Sequence, residues 1–347
     1  MRLIAILFAV FGILISTHAM AWGENKLGSK FNAPSAKKDT YFRDQDHKIE
    51  GKYSEKFVLR HGDCGAADGY SDCLMDRGRV ERMGNEYHGS EHWYRFSLFI
   101  DDTWPTDREY ATMIIQSKVR NVRPPIWGFQ LEHGNLTLIF HQLGQECEIA
   151  SHSELLNKWT EIVLYANFGD KPSDLFNNPR LRAAIWINGK RIKAYCGYSD
   201  TGLVTPENKS AWKRHGSAIR YGIYSHYVSR DLAKLNPDVQ LPGWTDKHGN
   251  GNKKDIQSRT NDPWSIDWPV KYPTKTIWWD NMTHKKSNKN IWNMDMSIEQ
   301  SGETHVPTVI MMTMEDGTKK PMKVLPHMKD HPNPKCKVGL ILPMYCQ

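Results

Sequence analysis

Three short stretches carry the side chains best suited to chemistry in this chain. They are Arg79-Val80-Glu81-Arg82, Gln116-Ser117-Lys118 and Tyr221-Gly222-Ile223-Tyr224-Ser225-His226-Tyr227. Each reads as a strand, and a strand sends alternate side chains to opposite faces. Arg79 therefore shares a face with Glu81, Gln116 with Lys118, and Tyr224 with His226. Most sheets hide such a face with apolar residues. One that gathers Arg, Gln, Lys, Tyr and His fits a cleft for a polar, anionic ligand. Plainer readings fit the same residues: a same-face ion pair for Arg79 and Glu81, a satisfied core amide for Gln116, packing for Tyr224, and a structural ring for His141.

The rest of the chain supplies strands to hold these groups. His92 to Ile100 sets Tyr94, Phe96, Leu98 and Ile100 against Trp93, Arg95, Ser97 and Phe99. Further alternating runs span Met113 to Val119, Ile126 to Leu131, Asn135 to His141, Lys158 to Ala166, Arg220 to Val228 and Thr276 to Met282. Asn188-Gly189, between Ala183-Ala184-Ile185-Trp186-Ile187 and the run to Tyr195, is a strong hairpin signal. Helical patterning is confined to Ser153 to Leu156 and Asp231 to Leu235. Many strands with turn residues between them predict an all-β chain, a sandwich or jelly roll with long loops. Asn236 to Pro273 is a long segment rich in Pro, Gly, Asn and Trp, of a length that favours a functional loop. Val306 to Met314 reads as one extra strand.

Residues 1 to 21 read as a secretory signal: Arg2, an apolar run from Leu3 to Ile15, and Ala19-Met20-Ala21 before the cleavage point. That run is shorter than the roughly 20 residues of a membrane-spanning helix. The domain reading is signal 1–21, lead-in 22–55, sandwich 56–285 and C-terminal extension 286–347. The protein is expected in the periplasm or outside the cell, free of the membrane once the signal is cleaved, and as a monomer. Six cysteines agree with export: Cys64, Cys73, Cys147, Cys196, Cys336 and Cys346. Cys64 with Cys73 and Cys336 with Cys346 bracket short loops, leaving Cys147 with Cys196. This local pairing is the expectation among about fifteen connectivities. The net charge of +7 becomes +6 when Arg2 is removed with the signal, a balance that suits an acidic polymer. No long Lys/Arg run or nucleic-acid-binding signature is present, so nucleic acid is not an expected partner. Thirteen Trp and fourteen Tyr are numerous enough to supply stacking surfaces for sugar rings, although most such rings pack in cores.

The order of motifs resembles polysaccharide lyases of the jelly-roll group, particularly heparin-lyase-I-like and glucuronan-lyase-like proteins and, more distantly, alginate lyases. Alginate lyases carry an Arg-Ser/Thr-Glu-Leu-Arg strand, a Gln-Ile/Val-His strand and a Tyr-Phe-Lys-Ala-Gly-x-Tyr-Asn-Gln strand. The three stretches above stand in that order. Gly89-Ser90-Glu91-His92-Trp93-Tyr94 and Thr276-Ile277-Trp278-Trp279-Asp280-Asn281 look like the family's edge and closing strands. The resemblance covers roughly residues 57 to 283 and implies a concanavalin A-like antiparallel sandwich. Two positions depart from it: Lys118 stands where alginate lyases have His, and Ser225-His226 replace Asn-Gln.

A lyase of this type cleaves a uronic-acid polymer by β-elimination, removing the proton on C5 and expelling the O4 oxygen. Hydrogen-bond donors aimed at the carboxylate stabilise the enolate that develops. The resemblance assigns Gln116 and Arg79 to that task and Tyr224 to proton transfer, as base or as acid. A base role requires the Tyr224 phenol to fall from its usual range, as a nearby cation would cause. His226, His141 and Lys118 are the candidates for the second acid or base. Lys118, Glu81, Arg95, Trp93 and Tyr227 are expected to bind substrate. No cofactor is expected; some relatives bind structural calcium, and no dense Asp/Asn loop here demands it. Two other classes compete. A glycoside hydrolase needs two carboxylates across the bond, and only Glu81 is nominated for the cleft. A lectin-like module would keep Arg79, Trp93 and the aromatics without needing Tyr224 beside His226.

Overall fold

Strands with one apolar face bury it most simply by stacking two sheets, and this chain does so. The structure is a computed structural model that describes residues 30–31, 39–67, 70–105, 111–176, 178–192, 196–239, 265–286, 308–313 and 319–324. The expected signal and the Cys336–Cys346 pair lie outside the described residues.

The first sheet runs, edge to edge, β1 (Lys30–Phe31), β6 (Arg77–Tyr87), β15 (Ser217–His226), β8 (Thr112–Lys118), β9 (Trp127–Glu132), β10 (Asn135–Phe140) and β11 (Gln145–Ser151). The second runs β14 (Lys190–Ile192), β13 (Ala183–Ile187), β12 (Thr160–Asn167), β7 (Glu91–Ile100), β16 (Lys275–Lys285), β3 (Ser54–Leu59) and β2 (Tyr41–Asp44). Pairing within both sheets is antiparallel. Two small ribbons stand apart: β4 (Ala66–Ala67) with β5 (Tyr70–Ser71), and β17 (Thr308–Thr313) with β18 (Lys319–Val324). Two helices flank β15: α1 (Lys209–His215) and α2 (Val228–Leu235). No helix among the described residues is long and apolar enough to cross a membrane. The architecture is a β-jelly roll.

Inward faces meet in one core. Tyr94, Phe96, Leu98 and Ile100 of β7 face Trp127, Phe129 and Leu131 of β9, all nearly solvent-free. Phe96 packs edge-to-face on Phe129 at 5.7 Å and on Trp279 at 5.5 Å between centroids, the arrangement aromatic quadrupoles favour. An ion pair, Glu55 with Arg82, enters this layer. The Glu55 carboxylate accepts hydrogen bonds from Arg82 at 2.7 Å, Tyr41 at 2.6 Å and Tyr221 at 2.7 Å, tying β3 to β6 and β15. Arg82 faces inward because it lies one residue from Glu81, so the two point to opposite sides of β6.

Local sequence signals largely hold. Asn188 and Gly189 adopt φ of 50° and 76°, the left-handed pair of a tight hairpin turn. Part of the lead-in is sheet: Tyr41 to Asp44 pairs with Ser54 to Phe57 along the second sheet's edge. The β11 strand and the α1 helix had no counterpart in the sequence reading. β15 ends at His226, and Val228, read as its last residue, opens α2. Disulfides join Cys64 to Cys73 and Cys147 to Cys196, as local pairing predicts. The first sits with Val228, Leu232, Ile266, Trp268 and Tyr272 in a small apolar cluster that seats α2.

Candidate active site

The three motif strands are immediate neighbours, in the order β6, β15, β8. Antiparallel register sets Tyr224 opposite Arg79 on one side and Met113 on the other, and Arg220 opposite Gln116. Arg79, Glu81, Gln116, Lys118, Tyr224 and His226 all lie on the outer face of the first sheet, away from the core that receives Val80, Ile115 and Ile223.

Glycine makes the convergence close. Gly222 lies opposite Glu81 in the central strand, so no side chain stands between β6 and β8 at that row. A Cβ there would meet the Val80 carbonyl oxygen at 2.2 Å, and φ is 135°, so the position requires glycine. Across this gap the Gln116 amide donates to the Glu81 carboxylate at 2.7 Å. Arg79 donates to the other Glu81 oxygen at 3.4 Å and to Asp72 at 2.8 Å, leaving its Nε without a partner. Its guanidinium stacks on the Tyr224 ring, 3.9 Å from the centroid; Arg77 approaches the same ring at 5.7 Å. The His226 ring packs edge-on against Tyr224 with centroids 4.3 Å apart. The Nε2 atoms of His226 and His141 have no hydrogen-bond partner.

Burial dominates the proton affinities. Burial raises the Tyr224 phenol above its ordinary value, and the pull of Arg79 and Arg77 does not offset it. The phenol therefore holds its proton at neutral pH. Burial, reinforced by Arg77, Arg79 and His141, depresses His226 to about 3, and burial depresses His141 to about 4. Lys118 falls to about 8, through burial first and then the charge of Arg220. Asp72 is pushed up by burial against the pull of Arg79.

Two expected binding residues lie elsewhere. Trp93 and Arg95 belong to β7 of the second sheet, on its outer face. Trp93 is 1% exposed, wedged 5.0 Å from Tyr165 and 5.5 Å from Trp186 between ring centroids. Arg95 is ion-paired with Glu161 of β12. Alternation identifies residues that share a face but not the sheet that owns it, and these two do not join the cluster. Tyr227 does lie beside it. It is held at φ 52°, 42% exposed, with its ring 6.2 Å from His226 and the Arg230 guanidinium 4.3 Å from its centroid. The α2 helix that follows is anchored by the buried Asp76 carboxylate, which accepts from the Ser229 amide at 2.6 Å and its hydroxyl at 2.8 Å.

The sequence reading missed Asp72, Arg77 and Arg220. Arg77 and Arg220 were within reach, because extending the alternation back from Arg79 and Tyr224 lands on them; Asp72 sits in a turn and carries no such signal. Among the described residues no three His, Cys, Asp or Glu side chains are grouped as a metal ion would need.

The model of the polysaccharide lyase family matches residues 18–250, two-thirds of the chain. The chain belongs to the polysaccharide lyase family. No curated protein sequence matches the lyase. Among solved structures it is similar to the endo-β-1,4-glucuronan lyase from the fungus Trichoderma reesei, with 11% identity, a TM-score of 0.42, and coverage of 75% of this chain and 95% of that one. It is also similar to an alginate lyase from Pseudomonas aeruginosa, with 10% identity, a TM-score of 0.38, and coverage of 73% and 88%.

Proposed function

We propose that this polysaccharide lyase is exported and cleaves a uronic-acid-containing polymer by β-elimination on the outer face of the first sheet. One observation carries the reading: three neighbouring strands bring an amide, guanidinium groups, a lysine and a protonated tyrosine onto one surface. Arg77, Arg79, Lys118 and Arg220 stand against Asp72 and Glu81, an excess of two positive charges (4 − 2). An anionic sugar is favoured there.

The difficult step is to form an enolate next to a carboxylate. Gln116 keeps one amide N–H beyond its bond to Glu81, and this donor addresses the substrate carboxylate beside the positive charge of Arg79. Glu81 then acts as a positioning residue, holding Gln116 and Arg79 at one height above the sheet. Tyr224 keeps its proton until the leaving O4 oxygen takes it. Tyr227 offers an exposed ring on which a neighbouring sugar can stack. The two disulfides and the apolar N-terminal run support a periplasmic or extracellular location.

The test is to mix the purified protein with glucuronan, alginate and glycosaminoglycans. Elimination releases unsaturated ends that absorb in the ultraviolet. Reducing ends without that absorbance would establish hydrolysis, and binding without cleavage would establish a lectin-like role.

A further inference from the structure

Resting on this lyase reading, we propose that Lys118 is the base that removes the C5 proton, with Tyr224 as the opposing acid. The face holds few groups with a lone pair to offer. Both Glu81 oxygens are engaged, by Gln116 and by Arg79, and Asp72 is paired with Arg79. The His226 ring lies against Tyr224, and its depressed proton affinity makes it a weak base, as it does for His141. The Tyr224 phenol is already protonated. Lys118 stands two residues beyond Gln116 on the same face of β8, half-buried, with neither a hydrogen bond nor an ion pair to any described residue.

The surroundings of Lys118 favour the free amine. Burial lowers its proton affinity most; Arg220 on β15, Arg79 on β6 and Arg123 beyond the end of β8 add to this, and Glu81 on β6 opposes it. With a value of about 8, roughly a tenth of the molecules carry a neutral amine at pH 7. The same guanidinium groups that draw in a uronate thus help keep part of the Lys118 amine unprotonated.

The step balances. The Lys118 Nζ lone pair takes the C5 proton, and the C5–H electrons become the C4=C5 double bond. The C4–O4 bond breaks, and O4 takes the Tyr224 proton. Lys118 is left as ammonium and Tyr224 as phenolate; solvent returns the proton from one to the other.

Three variants and a titration test this. Lys118→Ala should lower kcat by about 10²- to 10⁴-fold while polymer binding persists, and small primary amines added to the buffer should restore part of the rate. Lys118→Arg keeps the charge but supplies no base and should be as slow as Lys118→Ala. Lys118→His should regain rate and move the rising limb of kcat/KM, near pH 8 in the wild type, toward lower pH. Labelling of Lys118 by an amine-reactive reagent, read by mass spectrometry without substrate, should show a midpoint near pH 8. Wild-type kcat in Lys118→Arg, or a rise in KM alone, would overturn the base role and make Lys118 a carboxylate contact. So would an ordinary lysine labelling midpoint. Absence of unsaturated ends with every uronate polymer would overturn the lyase reading and this inference with it. Elimination by the wild type together with an active Lys118→Arg would overturn the inference alone.

Discussion

On the outer face of the second sheet, Trp93, Tyr165 and Trp186 are covered by Phe176 and Leu181 from the connection between β12 and β13. Arg182 pins that connection by donating to the carbonyls of Asp170, Lys171, Ser199 and Asp200. On the outer face of the first sheet, the central strands instead carry Arg79, Glu81, Gln116, Lys118, Tyr224 and His226, with Gly222 opening a gap between them. One face is finished as a second core and the other as a cluster of charged and polar side chains. Guanidinium and carboxylate groups paired edge to edge are tolerated when buried because they satisfy one another. The partners then hold the reactive groups still.

This contrast can be broken from either side. The largest effect belongs to the reactive face: Tyr224→Phe removes the proton donor and should cut turnover by about 10²- to 10⁴-fold, with unchanged circular dichroism and retained polymer binding. Trp186→Ala acts on the sealed face. It should lower unfolding stability by about 3–5 kcal/mol in denaturant titration, with turnover per folded molecule unchanged. Gln116→Ala should lower kcat by roughly 10²- to 10³-fold while binding persists, because Arg79 and Lys118 still attract the anion. Arg95→Ala, which leaves the partly buried Glu161 carboxylate of the second sheet without its partner, should lower stability by about 1–3 kcal/mol and leave kcat and KM as they were. A large loss of activity in Arg95→Ala would place substrate on the wrong sheet for this account.

The sequence made some of this legible. In β7 the inward set Tyr94, Phe96, Leu98 and Ile100 was readable from alternation, as were the Asn188-Gly189 turn and the same-face pairs of the three motifs. Alternation is a property of one strand, however, so it could not show that Trp93 and Arg95 belong to the opposite sheet. Nor could it show that Glu81 and Gln116 meet over Gly222, since that contact depends on which strands are neighbours. For Tyr224, the cations that a base role would call on are present, but burial outweighs them, and burial cannot be read from a motif. β11 was missed because Gln145-Glu146-Cys147-Glu148 carries charge where a half-buried strand usually carries β-branched residues.

The central claim, that one face of one sheet receives the anionic polymer, is tested most directly by a crystal structure of Tyr224→Phe with a uronate oligosaccharide. Sugar rings are expected to lie across β6, β15 and β8, with a carboxylate facing Gln116 and C5 facing Lys118. An oligosaccharide seated on the second sheet, or on the first sheet with its carboxylate turned away from Gln116, would contradict it.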